Sequence, residues 1–197
     1  MERKLKPIYV QQVLRASGVR LFSPSEFQHV FSVSLRAAQE FIKDHTNDLF
    51  LKIRNGLYAL RTDQPQEEII ANRIYAPSYI SFEYALNRYG IIPEIVYGIT
   101  SATTRITREF VVNNKYFTYS HIKKQAYRGY KAEKLGGATV LIAEPEKALV
   151  DYLYFVDLKR KTLNERLNVR RLKKQVIMEY TRMYGRESLI KLVREIT

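Results

Sequence analysis

The sequence predicts an α+β fold: an N-terminal winged helix-turn-helix followed by a mixed α/β domain with a helical C-terminal end. Three observations predict it. Helical patterns, a short turn and a β-hairpin follow one another within residues 5–60. Strand patterns run from about residue 95 to residue 143. Helix signals return at Glu144 and continue to the end of the chain.

Leu5–Ala16 reads as an amphipathic helix, ended by Ser17-Gly18. Ser23-Pro24-Ser25-Glu26 is a helix start. Ser23 caps, Pro24 takes the first helical position, where a missing N–H costs nothing, and Glu26 completes a capping box. That helix is short and runs to about Val30. After Ser32-Val33-Ser34, another helix spans about Leu35–His45. Arg54-Asn55-Gly56 then joins two apolar runs, Leu49–Ile53 and Leu57–Leu60. Asn-Gly between such runs is the strongest short hairpin signal, because the tight turn needs positive φ. Helix, helix, short turn, helix and hairpin is the order of a winged helix-turn-helix.

The third helix would read DNA. At about 100° per residue, Leu35, Ala38 and Ile42 share one face with Phe41 at its edge, forming the stripe expected to be buried. Arg36, Glu40 and Lys43 fall opposite with Ala37 beside them, facing the major groove. An arginine there suits the bidentate contact to guanine. Ser32 and Ser34 near the helix start suit phosphate, through a hydroxyl and free backbone N–H groups. Lys52, Arg54 and Asn55 on the hairpin suit backbone or minor-groove contact. Plain caps and solvated faces have the same composition, and winged helices also serve as protein-interaction modules.

Residues 64–68 are a short polar link, so domains are expected at 1–62 and 63–197. Ile69–Tyr75 can be helical before Ala76-Pro77. Ser78 then starts a helix over Tyr79–Tyr89, with Ile80/Tyr84 and Ala85/Tyr89 stacked at i, i+4, and Gly90 stops it. Strands are expected at Ile95–Thr100, Thr107–Val112, Tyr116–His121, Tyr127–Ala132 and Ala138–Ala143, with turns at Asn113-Asn114 and Gly136-Gly137. Glu144-Pro145-Glu146 opens a helix to about Phe155. Thr162-Leu163-Asn164-Glu165 is a second capping box, starting a basic helix through Lys174 that continues toward Tyr180. Gly185 breaks it, and Glu187–Ile196 is the last helix.

At 197 residues the chain can bury a real core, and 46% hydrophobic with 27% charged residues marks a globular protein. The apolar run Ala138–Ala143 is far short of the about 20 residues a bilayer needs. The start is charged and lacks the apolar core of a signal peptide, so a soluble cytoplasmic protein is expected, with no membrane partner. Without cysteine there is no disulfide, Cys-ligated zinc, iron–sulfur cluster or thiol catalysis.

Lys and Arg number 33 against 20 Asp and Glu, and the net charge of +13 makes a polyanion the first partner to consider. The surplus is polarised: +5 over residues 1–62, +1 over 63–155 and +7 over 156–197. The C-terminal surplus would extend a DNA footprint, bind RNA, or form a solvated helical face; Leu163, Leu167, Val176 and Ile177 give that region an apolar side.

No catalytic constellation is visible. His29, His45 and His121 are far apart, without metal-site spacing. Gly136-Gly137 lacks the Lys-Ser/Thr of a phosphate loop, and no Gly-x-Ser-x-Gly elbow exists. Glu67/Glu68 sit in the polar link and Glu144/Glu146 complement a helix dipole. Tyr127, Tyr130, Tyr152 and Tyr154, interleaved with Lys and Arg, suit stacking on RNA or core packing. A non-enzyme without cofactor or metal is expected.

Four matches, the third of them in two stretches, carry a resemblance. Arg54-Asn55-Gly56-Leu57-Tyr58-Ala59-Leu60 resembles the wing of AbiEi-type antitoxins. So does Pro77–Leu86 with Tyr89-Gly90 after it. Ile99–Arg105 and Tyr119–Lys123 are similar to the central sheet of that family, and Ile142–Asp151 to its Pro-Glu-Lys-Ala helix. The matches span about residues 54–155 in the family's order; the basic last 40 residues match no signature. The resemblance implies an antitoxin of a bacterial type IV, abortive-infection AbiE-like toxin–antitoxin system acting in phage defence. Such a protein neutralises a nucleotidyltransferase toxin from the same operon without an obligatory stable complex. It also represses that operon by binding promoter DNA at an inverted repeat, a role that falls here on Arg36, Lys43, Lys52 and Arg54. The antitoxin domain would be residues 63–197, with its sheet at about 95–143 and helices at about 144–197. The alternative is an antitoxin that binds its toxin directly, with the winged helix as scaffold.

Overall fold

The computed structural model describes residues 5–197; the charged start at Met1–Lys4 lies outside them. The chain is mixed α+β and divides into two compact units, one ending at Ile70 and the other spanning Ala71–Thr197.

The first unit begins with α1 (Pro7–Ala16), which Pro7 opens at its first position. Next come β1 (Leu21–Phe22), α2 (Pro24–Phe31) and α3 (Leu35–Asp44). The capping box of α2 is present: the Ser23 N–H donates to the Glu26 carboxylate at 2.7 Å and the Glu26 N–H donates to Ser23 Oγ at 3.2 Å. The hairpin pairs β2 (Phe50–Arg54) with β3 (Leu57–Leu60), and Gly56 in its turn holds φ +75°. The three-stranded sheet has the order β1-β3-β2. The two-residue β1 escapes the sequence pattern because it is too short to alternate. Val10, Leu14, Phe22, Phe27, Ala38, Ile42 and Phe50 form the core, with Phe22 ringed by Phe27 at 5.6 Å and Phe50 at 5.3 Å.

After α4 (Glu67–Ile74), the second unit holds β4 (Ser78–Ile80), α5 (Phe82–Arg88), β5 (Ile99–Thr103), β6 (Arg108–Val112), β7 (Lys115–His121), β8 (Tyr130–Leu135) and β9 (Ala138–Ala143). These strands form a six-stranded sheet in the order β6-β7-β5-β4-β9-β8. The β5–β7 and β4–β9 pairs are parallel and the rest antiparallel. The helices α6 (Pro145–Asp157), α7 (Lys174–Arg182) and α8 (Glu187–Ile196) close the unit. Every residue of α6 from Lys147 to Phe155 is buried, which makes it the central helix.

Two sequence expectations are corrected here. The helix expected over Tyr79–Tyr89 is a strand followed by a shorter helix. Ser78, Tyr79 and Ile80 pair with Thr103, Ala102 and Ser101 of β5, and Phe82 at φ +57° turns the chain into α5. Non-local ladder bonds override the local i, i+4 pattern. The basic helix expected from Thr162 through Lys174 is irregular until Lys174. Its backbone groups are engaged elsewhere: Tyr152 donates its hydroxyl to Thr162 O at 2.5 Å, the Asn164 N–H donates to that hydroxyl at 2.9 Å, and the Asn168 N–H donates to Ile91 O at 2.8 Å. Strand starts also shift: Ile95 and Tyr97 precede β5, and Tyr127 precedes β8. Among the described residues no helix is long and apolar enough to cross a membrane.

Candidate nucleic-acid interface

The surface of α3 divides as its sequence period requires. Ala38 and Ile42 are buried against the core, and Phe41 packs on Phe27 and Phe50. Leu35 departs from the expected stripe: it stands 43% exposed at the first turn, so the buried face begins one turn later. Arg36, Glu40 and Lys43 point to solvent and Ala37 is half-buried beside them.

Arg36 and Glu40 are brought together. The guanidinium Nε donates to Glu40 Oε1 at 2.9 Å, with the Arg36 side chain 88% exposed. An exposed i, i+4 pair of this kind is weak and exchangeable. Lys43 makes no ion pair among the described residues. Arg36 is thus held to Glu40 through Nε alone, which leaves its terminal N–H groups to solvent.

The two serines divide in role. Ser34 caps α3, its Oγ accepting the Ala37 N–H at 3.2 Å. Ser32 ends α2 in the left-handed region at φ 52°, with its N–H donated to Gln28 O. It thus lies at the carbonyl end of one helix, and Ser34 at the amide end of the next; only Ser34 has the helix-start geometry that favours an anion.

On the hairpin, Lys52 lies opposite Tyr58, and a register shift separates it from Arg54, which lies opposite Leu57. Both cations are exposed. Arg54 folds onto the turn and donates to Asn55 O at 3.0 Å. Helix and hairpin share one core through Ala38, Ile42, Phe50 and Leu60. The unit thus presents a polar helix face and a basic hairpin on one framework.

The most unusual polar site lies in the second unit and escaped the sequence pattern. Lys147 and Asp151, one turn apart on α6, are fully buried and ion-paired. Asp151 Oδ1 also accepts the Tyr184 hydroxyl at 2.5 Å, while Oδ2 accepts those of Tyr79 at 2.8 Å and Ser81 at 2.7 Å. Lys147 Nζ stands 3.3 Å from Tyr184 OH. Burial pushes the Tyr79 and Tyr184 hydroxyls well above their ordinary pKa, and the Asp151 charge adds to it. Burial pushes the Lys147 ammonium down while Asp151 opposes that shift. Sealed from solvent and hydrogen-bonded at both oxygens, Asp151 ties β4, α6 and the turn after α7 together. The i, i+4 Lys–Asp spacing inside an apolar run was the one signal in the sequence; its tyrosine partners are remote along the chain. Of the four tyrosines noted for stacking, Tyr152 and Tyr154 are buried, while Tyr127 and Tyr130 pack around Tyr79.

His45 lies against Asp48, and His121 Nδ1 is 2.9 Å from Arg105 O. Among the described residues no group of three or more His, Cys, Asp or Glu could hold a metal ion. No protein-family model matches the chain, and no curated protein matches it.

Proposed function

We propose that the protein is a DNA-binding autoregulator and antitoxin of the AbiEi type, acting in the cytoplasm on a nucleotidyltransferase toxin from its own operon. One observation carries the DNA-binding half. A helix with a buried Ala38/Ile42 stripe presents Arg36, Glu40 and Lys43 to solvent, in the same unit as a hairpin bearing exposed Lys52 and Arg54. With α1, β1 and α2, this is the element order of a winged helix-turn-helix, which supports the reading. In it, α3 enters the major groove, Arg36 offers its terminal N–H groups to a base or phosphate, Ser34 keeps α3 capped, and the hairpin cations follow the backbone. Each chain reads one half-site, so two copies occupy an inverted repeat. The antitoxin half rests on the resemblance over residues 54–155 and falls to the second unit. No residue is assigned to catalysis, and no cofactor is needed.

A second reading is direct capture of the toxin by the second unit. It is favoured by Ile95 at 75% and Tyr97 at 82% exposure, large apolar groups left in solvent.

The test is co-expression with the neighbouring nucleotidyltransferase-like gene. Arg36→Ala with Lys43→Ala is expected to release a promoter–reporter fusion and still rescue growth. Loss of both functions together contradicts the division of labour. Co-purification of the toxin through high salt favours direct capture.

A further inference from the structure

The chain between α6 and the start of α7 returns alongside α6 from its C-terminal to its N-terminal end. The Thr162 and Asn164 contacts to Tyr152 pin its first half, and the Lys173 N–H, donated to Glu146 Oε1 at 3.0 Å, pins its end. Thirteen helical residues make this a track of about 20 Å. Residues 158–174 hold eight Lys and Arg against a single acid, Glu165. Lys161 and Arg166 are spoken for by Glu83 and Glu94. The other six, Lys159, Arg160, Arg170, Arg171, Lys173 and Lys174, are exposed and make no ion pair among the described residues.

At the N-terminal end of α6 the track borders a pocket of about 370 Å³, lined by Tyr89, Ile91, Glu146, Asn168, Arg171 and Leu172. The size lies at the small end of ligand sites, which run from about 300 Å³. The Tyr89 hydroxyl donates to Ala143 O at 2.9 Å, which holds its ring in place. Glu146 spends one carboxylate oxygen on Lys173 and keeps the other. The Asn168 side-chain amide makes no hydrogen bond among the described residues.

We infer that this track and pocket bind a single-stranded nucleic acid, with phosphates along the free cations and one unstacked base seated in the pocket. The pocket chemistry selects this ligand. Tyr89, Ile91 and Leu172 offer apolar walls to a flat ring, while Asn168 and the free Glu146 oxygen offer acceptors and donors to a base edge. Glu146 repels the carboxylate of an acidic peptide and accepts the amino group of a base. A base inside a duplex is not free to enter. The site lies wholly within the second unit and does not depend on the role proposed for α3.

The experiment is fluorescence anisotropy on the full chain carrying Arg36→Ala and Lys43→Ala, which removes the duplex binding proposed for α3. It uses strands of about a dozen nucleotides as RNA and as DNA, an abasic strand of equal length, a duplex without operator sequence, and poly-glutamate as competitor. Either base-bearing strand is expected to bind more tightly than the duplex and the abasic strand; the RNA and DNA arms identify the preferred sugar. With six phosphate contacts, log K against log salt should fall with a slope of about −4. Lys159→Gln, Arg160→Gln and Arg170→Gln together should flatten that slope by about 2. Asn168→Ala with Arg171→Gln should weaken the base-bearing strand about tenfold and the abasic strand less. All five positions are exposed, so unfolding midpoints should stay in place and report an intact fold. Equal binding of the abasic strand overturns the proposal, as do tighter binding of the duplex, equal competition by poly-glutamate, or variants that bind unchanged.

Discussion

Lys147 and Asp151 face each other across one turn of α6 with no exposed side-chain surface, and three hydroxyls complete the shell around the carboxylate. Removing one partner of such a pair leaves a buried charge without compensation. Asp151→Ala is expected to cost about 3–5 kcal/mol in urea unfolding. Lys147→Met with Asp151→Leu removes both charges but orphans the hydroxyls of Tyr79, Ser81 and Tyr184, so it should recover only part of that loss. A cost for Asp151→Ala within the range of an exposed substitution would contradict the structural role.

Tyr79 and Tyr184 make the chain sensitive to alkali. Both hydroxyls have pKa values raised above the ordinary value near 10. Above that pH the unfolded chain has released these protons and the folded chain has not, so stability present below it is lost as pH rises toward the raised values. The slope is about 1.4 kcal/mol per pH unit for each group. Lys147, depressed by burial, acts in the opposite sense up to its ordinary value near 10.4. The fall should therefore be read above about pH 10.5, and Tyr184→Phe should flatten it. Unfolding midpoints between pH 9 and about 11.5 check this.

Gly129 has no room for a side chain. Its φ is +76°, and a Cβ there would lie 2.6 Å from the Tyr180 ring. That ring cannot swing away freely, because its hydroxyl donates to Glu144 Oε2 at 2.6 Å. Gly129→Ala is expected to destabilise by about 1–3 kcal/mol, from backbone strain and overpacking together. Thermal unfolding of the variant measures it.

Glu40 engages the Arg36 Nε and would place a like charge beside any phosphate bound there. Glu40→Gln should tighten non-specific duplex binding and leave the unfolding midpoint in place, since the pair is exposed. Weaker binding would indicate that the carboxylate itself reads a base.

The parts of the fold legible in the sequence are those set by near neighbours. The Ser23–Glu26 box, the Asn55-Gly56 turn and the last helix from Glu187 each depend on residues a few positions apart, and each stands as expected. Tyr79–Ile80 could not be read this way, because their strand is made by β5 and β9, both distant in sequence. Thr162–Glu165 carries a sound capping pattern, yet hydrogen bonds to Tyr152, Glu94 and Ile91 outcompete the helix. On α3 the period identified Ala38, Ile42 and the exposed Arg36 and Lys43, but not the exposure of Leu35 or the Arg36–Glu40 pairing.

The most direct measurement is a gel shift of the full chain on DNA from immediately upstream of its own gene, with excess unrelated DNA and at two salt concentrations. The expected result is a band that survives the competitor, weakens with salt, and is lost in Arg36→Ala with Lys43→Ala. A band that competitor and salt abolish, or one indifferent to those two residues, would contradict sequence-specific reading by α3.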